Sequence, residues 1–248
     1  MSRSYAARAL VLRKTKLGES DLIVTALSSE GHQIRAVAKG ARKPGSRFGA
    51  RVEPFTVIDG LFARGRTLDV LTEAQTVAAH DRLRTDYEAV RSAAVVADLL
   101  ERVTAESDAE PRLYELGIAV LDAIEDADPV ALPTLVAAFL VKAMAMQGLR
   151  PQLAGCVSCG GACAPAAAFS ISGGGTVCAA CVGTDPSAIA VSAELPGALA
   201  WLLRSRLVEV AAEPLTDCLA REALVVLRAF ASHHVPARLR AFDAYLRG

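Results

Sequence analysis

Residues 7–27, ARALVLRKTKLGESDLIVTAL, read as two extended segments folded about a turn. Segments 7–13 and 21–27 are dominated by Val, Leu, Ile and Ala, and Leu17-Gly18-Glu19-Ser20 between them is turn chemistry. Three further runs of this kind follow, at 32–38, 54–63 and 68–77. They are separated by Ser29-Glu30-Gly31, Lys43-Pro44-Gly45-Ser46 and Arg64-Gly65-Arg66. Five short strands before residue 80 predict a small barrel, because closure removes the sheet edges that an isolated five-stranded domain would expose. A five-stranded barrel of OB type is the economical reading, and an SH3-like barrel is the alternative.

Beyond His80 the texture changes. Gly and Pro become scarce and apolar residues recur every three or four positions, which predicts helices at 87–105, 112–125, 129–147, 194–206, 215–232 and 236–246. Pro129, Pro214 and Pro236 stand near the expected helix starts, where a missing N–H costs little. The predicted class is α+β multidomain: an OB-fold domain over 1–80, then an α-helical domain over 81–248 with an inserted cysteine-rich motif at about 152–184.

The chain of 248 residues is long enough to bury a sizeable core. No apolar run is read as approaching the roughly 18 to 20 residues a bilayer requires, and the N-terminus lacks a charged-then-apolar leader. The expectation is a soluble cytoplasmic protein, nucleoid-associated and without a membrane partner. The formal charge of zero hides an asymmetry. Residues 1–80 hold 13 Lys and Arg against 7 Asp and Glu, and the remainder holds 14 against 20.

Five of the six cysteines fall between Cys156 and Cys181. Cys156-Val-Ser-Cys159 and Cys178-Ala-Ala-Cys181 are two C-x2-C knuckles, each able to turn two thiolates toward one point, and the glycine-rich segment between them can close as a hairpin. Gly160, directly after the first knuckle, suits a tight turn. One structural Zn2+ held by Cys156, Cys159, Cys178 and Cys181 is expected, since four thiolates leave no open position for catalysis. Cys163 is read as a bystander, with replacement of a neighbouring ligand as the alternative, and Cys218 as core.

The stretch from Gly31 to Val52, GHQIRAVAKGARKPGSRFGARV, carries Arg35, Lys39, Arg42, Lys43, Arg47 and Arg51 and no carboxylate. Such runs are usually solvated loops. Here the absence of any acid, and the glycines that let backbone amides approach an anion, favour a polyanion partner. Six phosphate contacts would give a salt-dependence slope of about −4 to −5 on single strands or about −5 on duplex. Nothing resembles a recognition helix, so base reading is not implied. Lys14 and Lys16 at the end of the first strand extend the patch, with Arg3, Arg8 and Arg13 behind them. Phe48 has two readings, a stacking platform for a base or an anchor of the loop.

No catalytic pattern emerges. Gly40 to Arg47 has the glycine spacing of a phosphate loop but ends in Ser46-Arg47 where Lys-Ser/Thr is required. His32, His80, His233 and His234 accompany no nucleophile, and the knuckles lack the His/Cys-x-Glu element of a zinc deaminase. The chain is read as non-enzymatic.

Several of these elements together resemble a known family. Ala9-Leu-Val-Leu-Arg13, Leu17-Gly-Glu-Ser-Asp21, Ala36-Val-Ala-Lys-Gly-Ala-Arg42, Ser46-Arg47, Glu53-Pro-Phe55 and Leu68 are similar to the N-terminal domain of the bacterial recombinational repair family RecO. Cys156-Val-Ser-Cys159-Gly160, Phe169-Ser170, Gly173-Gly174-Gly175 and Cys178-x-x-Cys181 are similar to its zinc-bearing members. The match spans nearly the whole chain, with Pro44-Gly45 and Cys163 as departures. The resemblance implies an OB-fold domain followed by a helical domain with a zinc motif. It further implies binding of single- and double-stranded DNA, annealing of complementary strands and, with RecR and RecF, help for RecA in replacing single-strand binding protein (SSB) during DNA repair and recombination. Members also contact the acidic C-terminal tail of SSB. Such a tail needs a cation beside an apolar groove, and Lys142 and Arg150 supply candidates by chemistry. The competing reading is a zinc-stapled scaffold whose basic loop binds an acidic protein.

Overall fold

In the computed structural model, which describes residues 4–105, 108–163, 165–235 and 238–247, the N-terminal strands close as expected. They are β1 (Ser4–Leu17), β2 (Asp21–Ser28), β3 (Gln33–Ala38), β4 (Val57–Ala63) and β5 (Asp69–Ala78). The order β1-β2-β3-β5-β4 returns to β1, and the β3–β5 pair alone among these is parallel. This is the five-stranded OB-type arrangement rather than an SH3-like one. Strand β1 serves two partners, pairing with β4 through its first half and with β2 through its second. A register shift between Val11 and Arg13 lets the strand turn the corner.

Alternation explains the barrel interior. Ala9 and Val11, Leu22, Val24 and Ala26, and Ile34, Ala36 and Ala38 line one cluster with Ile58, Phe62 and Leu71. The outward residues Leu10, Leu12 and Leu27 are buried as well. A strand apolar on both faces needs cover outside the barrel, and helices supply it. After the single turn α1 (Arg82–Thr85), helix α2 (Tyr87–Val103) packs on β1 and β2. Asp86 caps α2 by accepting the Ala89 N–H at 2.9 Å. Helix α3 (Pro111–Asp126) brings Gly117 close to Leu10 and Leu100. Contacts accordingly divide the chain into Met1–Glu125 and Asp126–Gly248, with α1 to α3 in the barrel's unit.

The second unit is built on α4 (Leu132–Met146), preceded by a 3-10 turn, Pro129–Ala131, that Asp128 caps through the Val130 N–H. Residues Leu135 to Val141 are fully buried. Helices α5 (Leu195–Arg204), α6 (Leu207–Ala212) and α7 (Asp217–His234) pack on α4, and α8 (Arg240–Tyr245) closes the chain. Between α4 and α5 lies a small sheet, β6 (Ala168–Ser170), β7 (Gly175–Val177) and β8 (Ala188–Ala190), in the order β7-β6-β8.

Four expectations are corrected. The span Pro129–Met146 is long and apolar enough to cross a bilayer by length and composition, contrary to the sequence reading, but 67% of it is buried within the protein as its central helix. The helix expected over 194–206 stops at Arg204, where Ser205 turns extended, and α6 then starts with the Glu209 carboxylate accepting the Arg206 N–H at 2.9 Å. Cys218, expected in the core, is exposed in the first turn of α7. The final helix begins at Arg240, and Pro236 lies outside the described residues.

Candidate nucleic-acid interface and metal centre

The basic stretch leaves β3 after Ala38 and returns to the barrel through three apolar plugs. Ala41, Phe48 and Val52 all insert into the barrel core, and Phe48 is 2% exposed. Phe48 is therefore an anchor and not a stacking platform, and the Arg47 guanidinium lies 5.0 Å over its ring. The β1–β2 turn ties down the other side. The Gly40 N–H donates to the Asp21 carboxylate at 2.8 Å, the Arg42 N–H to the Ser20 carbonyl at 2.9 Å, and the Arg42 guanidinium to the Gly18 carbonyl at 3.2 Å. Gly40 has φ 65°, which accommodates the turn that leaves the strand. The Gly40 amide foremost, then the Ser20 hydroxyl and the charges of Lys39 and Lys43, hold the Asp21 carboxyl below the usual carboxylate range.

Plugging the apolar residues inward leaves the cations outside. Arg35, Lys39, Arg42, Lys43, Arg47 and Arg51 are all exposed, and among the described residues none of them forms a salt bridge. Arg51 donates to the Arg47 carbonyl, which braces the short 3-10 turn Gly49–Val52. The flanking cations behave differently. Lys14 pairs with Glu53, Arg13 with Glu101 of α2 at 2.7 Å, and Arg8 with Asp59 at 2.8 Å. Of the expected extension, Lys16 is exposed and has no salt bridge among the described residues, Lys14 enters paired, and Arg3 lies outside the described residues. Two cations that the sequence presented as turn material, Arg64 and Arg66 between β4 and β5, are also exposed.

The cysteine knuckles converge as their spacing requires. The Sγ atoms of Cys156, Cys159, Cys178 and Cys181 lie within 4.8 Å of one another, and Cys159 and Cys178 are 4.0 Å apart. A tetrahedral ion with bonds of about 2.3 Å separates its ligands by about 3.8 Å, so the four donors fit one metal ion. Gly160 at φ 72° closes the first knuckle, its N–H donating to the Cys156 carbonyl at 2.8 Å. The β6–β7 hairpin holds the lobe through the Val157 N–H to Thr176 carbonyl bond of 2.9 Å. Backbone amides, that of Cys178 foremost and then that of Cys159, pull the Cys156 thiol down to about 6. Hydrogen bonds with Cys178 and Cys159 push the Cys181 thiol up to about 12. Cys163 is not among the four. It packs with Ala166, Ala168 and Val177, and burial pushes its thiol up.

Lys142 and Arg150 have unlike surroundings. The Lys142 ammonium donates to the Leu203 carbonyl at 3.0 Å and the Ser205 carbonyl at 2.8 Å, capping the C-terminus of α5. Burial lowers its pKa. Arg150 is exposed just past α4.

Comparison with known proteins covers both units. The family described as recombination protein O N terminal matches residues 1–80, and that described as recombination protein O C terminal matches residues 84–241. A DNA repair protein RecO of Bifidobacterium longum strain DJO10A is 40% identical over 190 residues, covering 75% of this chain and 77% of that protein. The protein of the same name from B. longum subsp. infantis is 40% identical over 192 residues, 76% of this chain and 79% of its own.

Proposed function

Since this chain belongs to the recombination protein O family and so to DNA repair by recombination, we propose that it acts there as a non-enzymatic mediator that binds single- and double-stranded DNA. The observation that carries this reading is the set of six cations, from Arg35 to Arg51, that the fold displays without a salt bridge among the described residues. An unpaired surface cation keeps its full field for a phosphate, whereas one already neutralised offers little. Complementary strands repel through their phosphates. A cationic loop that screens both lowers the barrier to their encounter, and base pairing then drives annealing without ATP.

In this reading DNA binding belongs to residues 1–80 and partner binding to 81–248, a division supported by the extents of the two family matches. RecR and the SSB tail are the proposed direct partners, RecF and RecA the functional ones, and the site of action is the cytoplasm, at the nucleoid. Weak simultaneous grips on DNA and on the tail would free a strand for RecA through effective concentration. Arg150 is the better cation for the tail, because Lys142 already has two carbonyl partners. The ion in the cysteine cluster is proposed to be one structural Zn2+ held by four thiolates. Residues 151–203 contain no Lys or Arg, so this lobe offers DNA no counter-charge. Its role is to pin the second unit.

The test is a titration of labelled single strand and duplex with wild type and with a variant carrying Arg35, Lys39, Arg42 and Lys43 as Ala. The expected result is about 100-fold weaker binding of both and loss of strand annealing. Unchanged affinity would refute the DNA surface and transfer the loop to an acidic protein partner.

A further inference from the structure

A groove of about 530 Å³ opens on the barrel at the start of β3, lined by Tyr5, Glu30, His32, Arg35, Arg64 and Asp69 among others. It is a built site. The Asp69 carboxylate accepts from the Tyr5 hydroxyl with one oxygen and from the Gly65 N–H at 2.9 Å with the other, so one residue fixes both the ring and the β4–β5 turn. The Tyr5 ring stacks on Phe62 of the barrel core with centroids 5.4 Å apart, and the Arg64 guanidinium lies 4.9 Å over it. Tyr5 thus contacts both the core ring of Phe62 and the exposed guanidinium of Arg64.

We propose that this groove receives one unpaired nucleotide of a single strand, its base stacking at the Tyr5–Arg64 pair and its neighbouring phosphates meeting Arg35 and the loop beyond. This rests on the reading of the 39–51 loop as a DNA surface. Arg35 belongs to both features. It lines the groove and stands four residues before Lys39, about 13 Å along an extended strand and within the reach of two successive nucleotides, so one strand can meet both. The mixture of groups decides the ligand class. Guanidinium and aromatic planes stack on any base, and arginines bind phosphate. Glu30 lines the groove without a salt bridge among the described residues, and suits the amino groups on a base edge. An acidic peptide would meet that carboxylate as a repulsion. A duplex keeps its base faces stacked and cannot enter, so the groove distinguishes single strands where the loop does not.

The test uses the full chain with an oligodeoxycytidylate of about 20 nucleotides, whose bases carry the amino group that Glu30 suits, and a duplex of equal length. Arg64→Ala is an exposed change and leaves the fold in place. It is expected to weaken the single strand at least about fivefold while duplex affinity stays within about twofold, and Arg64→Lys, which keeps the charge but not the plane, is expected to restore only part of the loss. Equal losses on both DNAs would make Arg64 a plain phosphate contact and overturn the groove. No loss on either would overturn it too. The Arg35, Lys39, Arg42 and Lys43 variant, run beside it, reports on the loop separately: full affinity there refutes the loop reading whatever Arg64→Ala shows.

Discussion

The cationic loop of the barrel and three arginines of the second unit contain the same side chains in opposite situations. In the second unit Arg206 holds Glu209 at 2.9 Å, while Arg228 and Arg238 both reach Asp243. Lys142 closes the end of α5. These cations belong to the fold. From Arg35 to Val52 the apolar plugs Ala41, Phe48 and Val52 do the packing, Arg42 and Arg51 add hydrogen bonds to backbone carbonyls, and among the described residues none of the six cations forms a salt bridge. Counting charges does not separate cations committed to the fold from cations left without a carboxylate, whereas asking what each cation already touches does.

The largest expected contrast concerns the metal. Chelation, or Cys159→Ser, should unfold the lobe around β6 and β7, because apparent binding energies at structural zinc sites are about 10 kcal/mol or more. Proteolysis should then cut near Cys156 to Cys181 while single-strand affinity changes by less than about twofold. Loss of DNA binding with the lobe intact would move the interface to the metal. A smaller effect is expected at Asp243. Arg228 first, then Arg238, holds its carboxyl below the usual range, so its stabilisation is complete above the unfolded value of about 3.9 and is lost as the pH falls from there through the lower folded value. Asp243→Asn should cost about 1 to 3 kcal/mol at neutral pH, read by thermal melting, and should flatten the acid limb of the stability curve. The smallest effect belongs to the loop, where Lys39→Ala with Lys43→Ala should alter stability by no more than about 0.5 kcal/mol even as DNA affinity falls. A large loss of stability would show that those cations are structural after all.

The barrel and the knuckles were legible because their signals are local: alternating runs broken by turn residues, and thiols two residues apart with a glycine after the first pair. What escaped depends on distance or on phase. Arg13 finds Glu101 on a helix 88 positions away, so its neutralisation leaves no trace nearby. Phe48 sits among cations, and its neighbours give no sign of whether the ring turns inward. Cys218 fits a helical pattern, yet its place in the first turn of α7 exposes it. The break at Ser205 needs no Gly or Pro, because Glu209 satisfies the new helix start. Arg64 and Arg66 flank a glycine and read as a turn, and only barrel closure brings Arg64 over Tyr5.

The most direct measurement is the salt dependence of single-strand binding. Six displayed cations predict a slope of log affinity against log salt of about −4 for wild type, falling to about −1.4 when Arg35, Lys39, Arg42 and Lys43 become Ala. Equal slopes for the two proteins would contradict the central claim that these cations, none of which has a salt-bridge partner among the described residues, meet phosphate.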